Sequence, residues 1–232
     1  MTDFFKKAWK WLDNFWYHHK WKTLILSFFA IVIIICTVQM CNKEEYDAHI
    51  IYAGPATVSL DDYKMVTAGF ADLMPDDFNG DGVKIVDFTN IVYVPQEMAE
   101  EYREKGLNFD PLRNAQAQTQ FQTEMMNGQC LICLLDPDLY LATVDKGFFR
   151  PLSEVLEHVP DYAVDDYAIL AADLPYFRRT DCGRFFPDDT VVCLRVKNSV
   201  YGKTSKTWDD LYAFHEDFFR TIVTYGTQYA QK

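Results

Sequence analysis

By type and spacing, the residues best suited to chemistry are Asp77, Asn79 and Asp81, set two apart and interleaved with Phe78, Gly80 and Gly82. Oxygen ligands at the first, third and fifth positions, with glycine at the sixth, open a calcium-binding loop. That loop also needs a bidentate carboxylate at its twelfth position. Phe88 stands there, and the nearest carboxylate, Asp87, falls one residue early. A weak calcium (Ca2+) site made by Asp77, Asn79, Asp81 and Asp87 is one expectation. The other is a polar turn in which Asn-Gly and Asp-Gly supply left-handed backbone positions.

Cysteines and histidines offer less. Cys130-Leu131-Ile132-Cys133 has redox spacing, but redox pairs sit at a helix N-terminus, where thiolate is favoured. Inside an apolar strand the two sulfurs would point to opposite faces, so buried structural cysteines are expected. Cys182 and Cys193 lie near the ends of a loop and could join in an oxidising exterior, although an even count alone assigns no disulfide. His18 and His19 are adjacent and would leave a helix on different sides, which argues against shared metal binding. The acidic pairs Asp61-Asp62, Asp165-Asp166, Asp188-Asp189 and Asp209-Asp210 fit helix starts and solvated turns. No nucleophile elbow, zinc-protease helix, Walker loop or dinucleotide fingerprint is present, and His49, His158 and His215 are scattered. An enzyme is not expected.

The elements that must position these residues begin with a charge-free run, Thr23 to Met40. Eighteen helical residues span roughly 27 Å, close to a hydrocarbon thickness of about 30 Å. A buried core helix would show a polar stripe, and this run shows none. The leader before it is long for a signal peptide, and Val38-Gln39-Met40 before Cys41 lacks the small residues of a cleavage site. A retained anchor is therefore expected. Residues 1–22 carry five lysines against Asp3 and Asp13, whereas from Cys41 onward 17 basic residues face 32 acidic ones. With Lys20 and Lys22 on one flank and Lys43, Glu44, Glu45 and Asp47 on the other, the N-terminus should be cytoplasmic and the C-terminal domain extracytoplasmic. Phe5, Trp9, Leu12 and Trp16 share one helical face, so residues 3–19 read either as a helix lying in the lipid interface or as an ordinary aromatic belt. Membrane lipid is thus an expected partner. Nucleic acid is not, because the acidic domain would repel phosphate.

The outer residues, 41–232, read as one domain. Asp47–Ala53, Val83–Val94, Gln129–Leu135 and Thr190–Val196 have strand character. Between them lie helical stretches at Leu60–Met74, capped by Ser59, then from Pro95 to Gly106, from Pro111 to Met126 and at Lys206–Tyr225. Helices alternating with short apolar strands imply an α/β layered domain with a mostly parallel sheet.

Four stretches are similar to the N-terminal lobe of bacterial extracellular solute-binding proteins. They are Phe121–Asp136, a helix, a glycine and a buried strand ending in an acid; Phe149-Arg150-Pro151-Leu152; Leu174-Pro175-Tyr176, resembling a strand returning through the sheet; and Lys206–Leu211, a Thr-Trp-acidic-acidic-Leu helix start. The resemblance implies a single solute-binding-protein-like lobe, held by the transmembrane helix where the family normally closes two lobes over a ligand. By analogy of fold, a ligand site would lie at the carboxyl ends of the strands, near Gly54, Pro55, Asp136, Pro137 and Asp138. Its partner would be a small solute or a membrane transporter component. The alternative is a structural or protein-interaction component of the cell envelope. A reporter enzyme that is active only outside the cytoplasm, fused after Lys232, is expected to be active in cells. A silent reporter, with the domain protected from external protease, would reverse the orientation.

Overall fold

The computed structural model describes residues 2–41, 45–127, 129–197 and 206–226. Lys43, Glu44 and Gly128, which the sequence reading used for orientation and for a helix stop, lie outside them, as do the side chains of Phe5, Trp9 and Leu12. The chain divides into two compact units, Met1–Glu45 and Tyr46–Lys232. The first is one helix, α1 (Thr2–Cys41). Within it Phe15–Thr37, with mean hydropathy 1.8, is long and apolar enough to cross a membrane. The apolar span begins earlier than Thr23 because Phe15, Trp16 and Trp21 extend it. Residues 3–19 are helical as expected, and they are continuous with the span in one helix from Thr2 to Cys41.

The second unit is a five-stranded sheet with helices on both faces. Its elements are β1 (Ala48–Gly54), α2 (Leu60–Leu73), β2 (Val86–Val92), α3 (Gln96–Glu104), α4 (Pro111–Asn127), β3 (Ile132–Leu135), α5 (Pro137–Leu141), α6 (Leu152–Val155), β4 (Ala168–Leu170), α7 (Pro175–Arg179), β5 (Val191–Leu194) and α8 (Lys206–Val223). The strand order is β2-β1-β3-β5-β4. β1 is parallel to both β2 and β3, β5 is antiparallel to β3, and β4 is antiparallel to β5. Four strands therefore run one way and β5 alone runs the other, so the sheet is mostly parallel in direction.

Central strand β1 is buried at every position. Alternation sends Ile50 and Tyr52 into a core with Val66 and Phe70 of α2, Tyr176 of α7 and Phe218 of α8. Ile51 and Ala53 enter a second core with Phe121 and Met125 of α4 and Tyr140 of α5. Helix α2 starts as its sequence dictates. Ser59 accepts from the Asp62 N–H at 3.3 Å while the Asp62 carboxylate accepts from the Ser59 N–H at 3.1 Å, a complete capping box.

Two strand assignments need correction. Leu174-Pro175-Tyr176 is not a strand: Pro175 opens α7, a place where its missing N–H costs nothing. The chain returns through the sheet as β5 instead. β4 is three residues long, too short to show a period of two.

One residue before β1, the fully buried carboxylate of Asp47 organises the segment that feeds β2. Oδ1 accepts from the N–H groups of Phe78 and Asn79 at 3.0 and 3.1 Å, and Oδ2 accepts from Ile85 at 2.8 Å. The Asp47 N–H donates to the Ile85 carbonyl at 2.9 Å. Replacing Asp47 by alanine leaves three backbone donors without partners, a loss of about 3–5 kcal/mol. The Asp47→Ala chain is expected to melt roughly 10 °C below wild type in detergent, and Asp47→Asn, which keeps one acceptor, to fall by about half as much. Equal melting of all three would show that the carboxylate holds nothing.

Candidate binding site at the carboxyl edge of the sheet

Because β1 lies between β2 and β3, the chain leaves it in one direction and later returns on the other side. A crevice opens at the carboxyl ends where such connections diverge. The hydrogen bonds show the divergence. The Gly54 carbonyl accepts from Tyr93, which follows β2, at 2.9 Å, and the Ala53 carbonyl accepts from Asp136, which follows β3, at 2.8 Å. Gly54 with Pro55 and Asp136 with Pro137 and Asp138, separated by 82 positions along the chain at Gly54 and Asp136, thus meet at adjacent strand ends, where Ala53 pairs with Leu135.

Helix starts surround this edge. Asp136 caps α5, its Oδ1 accepting from the Asp138 N–H at 3.0 Å, and Pro137 occupies the first turn. The Asp138 carboxylate in turn accepts from Gln96, the first residue of α3, at 3.4 Å. In the first turn of α4, the Asn114 side chain clamps the end of β2, accepting from the Val94 N–H at 2.8 Å and donating to its carbonyl at 2.9 Å. Gly54 is glycine for a reason of space: a Cβ there would sit 2.6 Å from Tyr52 Oη. The Tyr52 ring folds back over it, and its hydroxyl accepts from the Ala56 N–H at 3.0 Å.

The electrostatics centre on Asp136. Burial pushes its carboxyl up to about 6, with Asp138 and Asp189 adding repulsion against the hydrogen bonds that favour the charge. Tyr52 and Tyr93 are raised chiefly by burial, with a further contribution from the Asp136 charge. The edge therefore combines a buried, reluctant carboxylate with two tyrosines and an outer carboxylate. Such a set accepts hydrogen bonds from a ligand carrying hydroxyl or ammonium groups. Gly54, Pro55, Asp136, Pro137 and Asp138 are where the resemblance implies. Tyr52, Tyr93 and Asn114 join them with no signal in the sequence, Tyr93 falling inside the stretch expected to be a strand, and Asp189, expected only at a helix start or in a solvated turn, acts on Asp136 through its charge.

The four proposed calcium ligands are not brought together. Asp77 spends both oxygens on the loop's own backbone, accepting from Gly80 at 2.8 Å and Gly82 at 2.6 Å. Asn79 accepts from Asp81 N–H, and Asp81 from Val83 N–H, both at 2.8 Å. Gly80 and Gly82 have φ of 75° and 87°, the left-handed positions of the polar-turn reading. Asp87 is elsewhere, paired with His49 Nδ1 at 3.0 Å. His215 accepts from the His49 N–H through Nε2 at 2.9 Å, and its Nδ1 lies 2.8 Å from the Leu211 carbonyl, which places the proton on Nδ1 of a neutral ring. Burial pushes His215 down to about 4, reinforced by repulsion from His49. Among the described residues, no group of three or more His, Cys, Asp or Glu converges as metal ligands would.

Cys130 and Cys133 are buried as expected, but not on the faces expected. Cys130 and Cys133 face the same core rather than opposite ones, because Cys130 precedes the first residue of β3 and escapes its alternation. Cys182 lies in the first core, where it accepts from Tyr176 Oη at 3.2 Å, and Cys193 lies in the second. The sheet separates them, so they do not pair.

A cavity of about 800 Å3 opens elsewhere, lined by Val155, Leu156, His158, Tyr162, Arg220 and Val223 among others. Its one guanidinium is already engaged: Arg220 Nε donates to the Val155 carbonyl at 2.6 Å, and the group pairs with Asp217. The carboxyl edge remains the better candidate.

Compared with known proteins, the chain matches no family model, no curated protein and no solved structure.

The raised pKa of Asp136 has a stability consequence with a definite sign. A carboxyl at about 6 in the fold and about 3.8 when unfolded favours the fold in its protonated form. That contribution is complete below pH 3.8 and is lost as the pH rises through about 6. Asp136→Asn keeps the cap acceptor and removes the charge, so it is expected to stabilise the chain by about 2 kcal/mol at pH 7.5. The gain should fall to roughly a third of that at pH 4.5. Thermal melts of both proteins across pH 4–8 check this, and a gain independent of pH would contradict it.

Proposed function

We propose that this chain is a membrane-tethered extracytoplasmic binding module, a solute-binding-like lobe that works at the cell membrane. The observation that carries this reading is the meeting of Gly54, Asp136 and Asp138 at the point where the connections of β1 and β3 diverge, with Asp136 kept buried and ionisable there. A carboxyl that lowers stability at neutral pH is a feature of sites that serve a ligand rather than the fold. The ligand that suits it is a small polar solute presenting hydroxyl or ammonium donors. The helix long and apolar enough to cross a membrane supports the tether, and the lysines preceding it support outward display of the domain.

A protein partner on the same edge is the second reading, favoured by three leucines at its helix ends. Leu60 opens α2, Leu112 lies in the first turn of α4 and Leu141 closes α5, at 71%, 69% and 67% exposure. A transporter component would cover them, whereas a small solute would not.

The full chain in detergent, screened by thermal shift against sugars, amino acids, amines and inorganic ions, is expected to be stabilised by at least one donor-bearing solute. Asp136→Ala should remove that shift. A library without a single shift would sink the solute reading, and an engineered photo-crosslinker at Leu112 that captures a defined membrane protein would favour the second.

A further inference from the structure

We propose that Cys133 and Cys193 are joined by a disulfide in the mature protein, a bond that staples the antiparallel strand β5 to the parallel part of the sheet. The two residues are direct partners in the β3–β5 ladder. Residues opposed in an antiparallel pair have Cα atoms about 4.5–5.5 Å apart and side chains on one face, within the range a disulfide spans. Both side chains are fully buried in the second core as free thiols, and the Cys193 Sγ bonds to the carbonyl of Cys133 itself at 3.9 Å. Of the other described cysteines in the domain, Cys182 is on the opposite face of the sheet, and Cys130 bonds to Thr89 Oγ1 at 3.7 Å. The ladder thus selects one pairing, and it is one that spacing along the chain does not suggest.

Closing the bond takes two thiols to one disulfide with loss of two protons and two electrons. The acceptor is the disulfide of an exported thiol–disulfide oxidoreductase: one cysteine thiolate attacks it to form a mixed disulfide and free one thiol, the second cysteine thiolate then attacks the mixed disulfide, and the oxidoreductase leaves as a dithiol. The step must precede complete folding, since burial pushes the Cys193 thiol well above its ordinary range and leaves no thiolate to react. The bond would close a loop of about 60 residues, and on the chain-entropy account it raises Tm by roughly 10 °C. The inference rests on outward display of the domain, because a cytoplasmic domain would be kept reduced.

The test takes the full chain from cell membranes, blocks free thiols without reductant, and maps linked peptides by mass spectrometry. A Cys133–Cys193 link, with a melting drop on reduction that Cys133→Ala/Cys193→Ala no longer shows, is the expected result. A second arm refolds the reduced chain in detergent with oxidised glutathione. Free thiols at both positions in the first arm overturn the proposal. If refolding nevertheless forms the link, the compartment is at fault and outward display falls with it; if neither arm forms it, the pairing alone is wrong. A link from either residue to Cys130 or Cys182 also overturns it.

Discussion

A strand buried along its whole length constrains everything around it, and β1 is such a strand. Both of its edges must bond to neighbours, because an unpaired backbone group in a dry interior costs as much as a lost hydrogen bond. Both of its faces must be covered by apolar side chains, which forces helices onto each side of the sheet. With β2 on one edge and β3 on the other, the chain has to leave β1 in one direction and come back in the opposite one. The meeting of Gly54 and Asp136 at one edge follows from that arrangement. The polar residues at the edge do not create the site; the core places them there.

Two buried carboxylates near opposite ends of β1 show how the same group is put to different use. Asp47 meets three converging backbone donors, so its negative charge is fully answered and its role is to hold the segment leading into β2. Asp136 receives fewer bonds, chiefly from the start of the short helix it caps, and faces Asp138 and Asp189 across a small distance. The fold saturates the first and sets burial and like charge against the second. On the proposed reading, a ligand or a partner's side chain offsets that cost.

What the residues disclosed in advance depended on how far each signal reached. An apolar span, the helix cap at Ser59 and the left-handed glycines at 80 and 82 are local, set by neighbours within a few positions; the structure has the cap and the glycines as read, and starts the span at Phe15 rather than Thr23. The clustering of Gly54 with Asp136 was legible only through a general rule about where parallel sheets open. Strand direction at β5 was not legible, because alternation gives a strand's faces but not its partner. That single gap explains the misplaced returning strand at Leu174–Tyr176 and the unrecognised opposition of Cys133 and Cys193. Asp87 failed for a related reason: it was close in sequence to the loop, yet β-sheet register carried it to His49.

On the proposed reading, a tether changes what the carboxyl edge has to achieve. An edge with one buried carboxylate and two tyrosines offers few directional contacts, and an unattached lobe using them would bind weakly, since ordering a ligand costs several kcal/mol before any gain. A domain fixed to the membrane meets a membrane partner at an effective concentration in the millimolar range for a short linker. Weak intrinsic affinity then suffices for occupancy. On the proposed reading, the charge-free helix is therefore part of the binding function, because it converts an edge of modest affinity into one that is occupied where it is anchored.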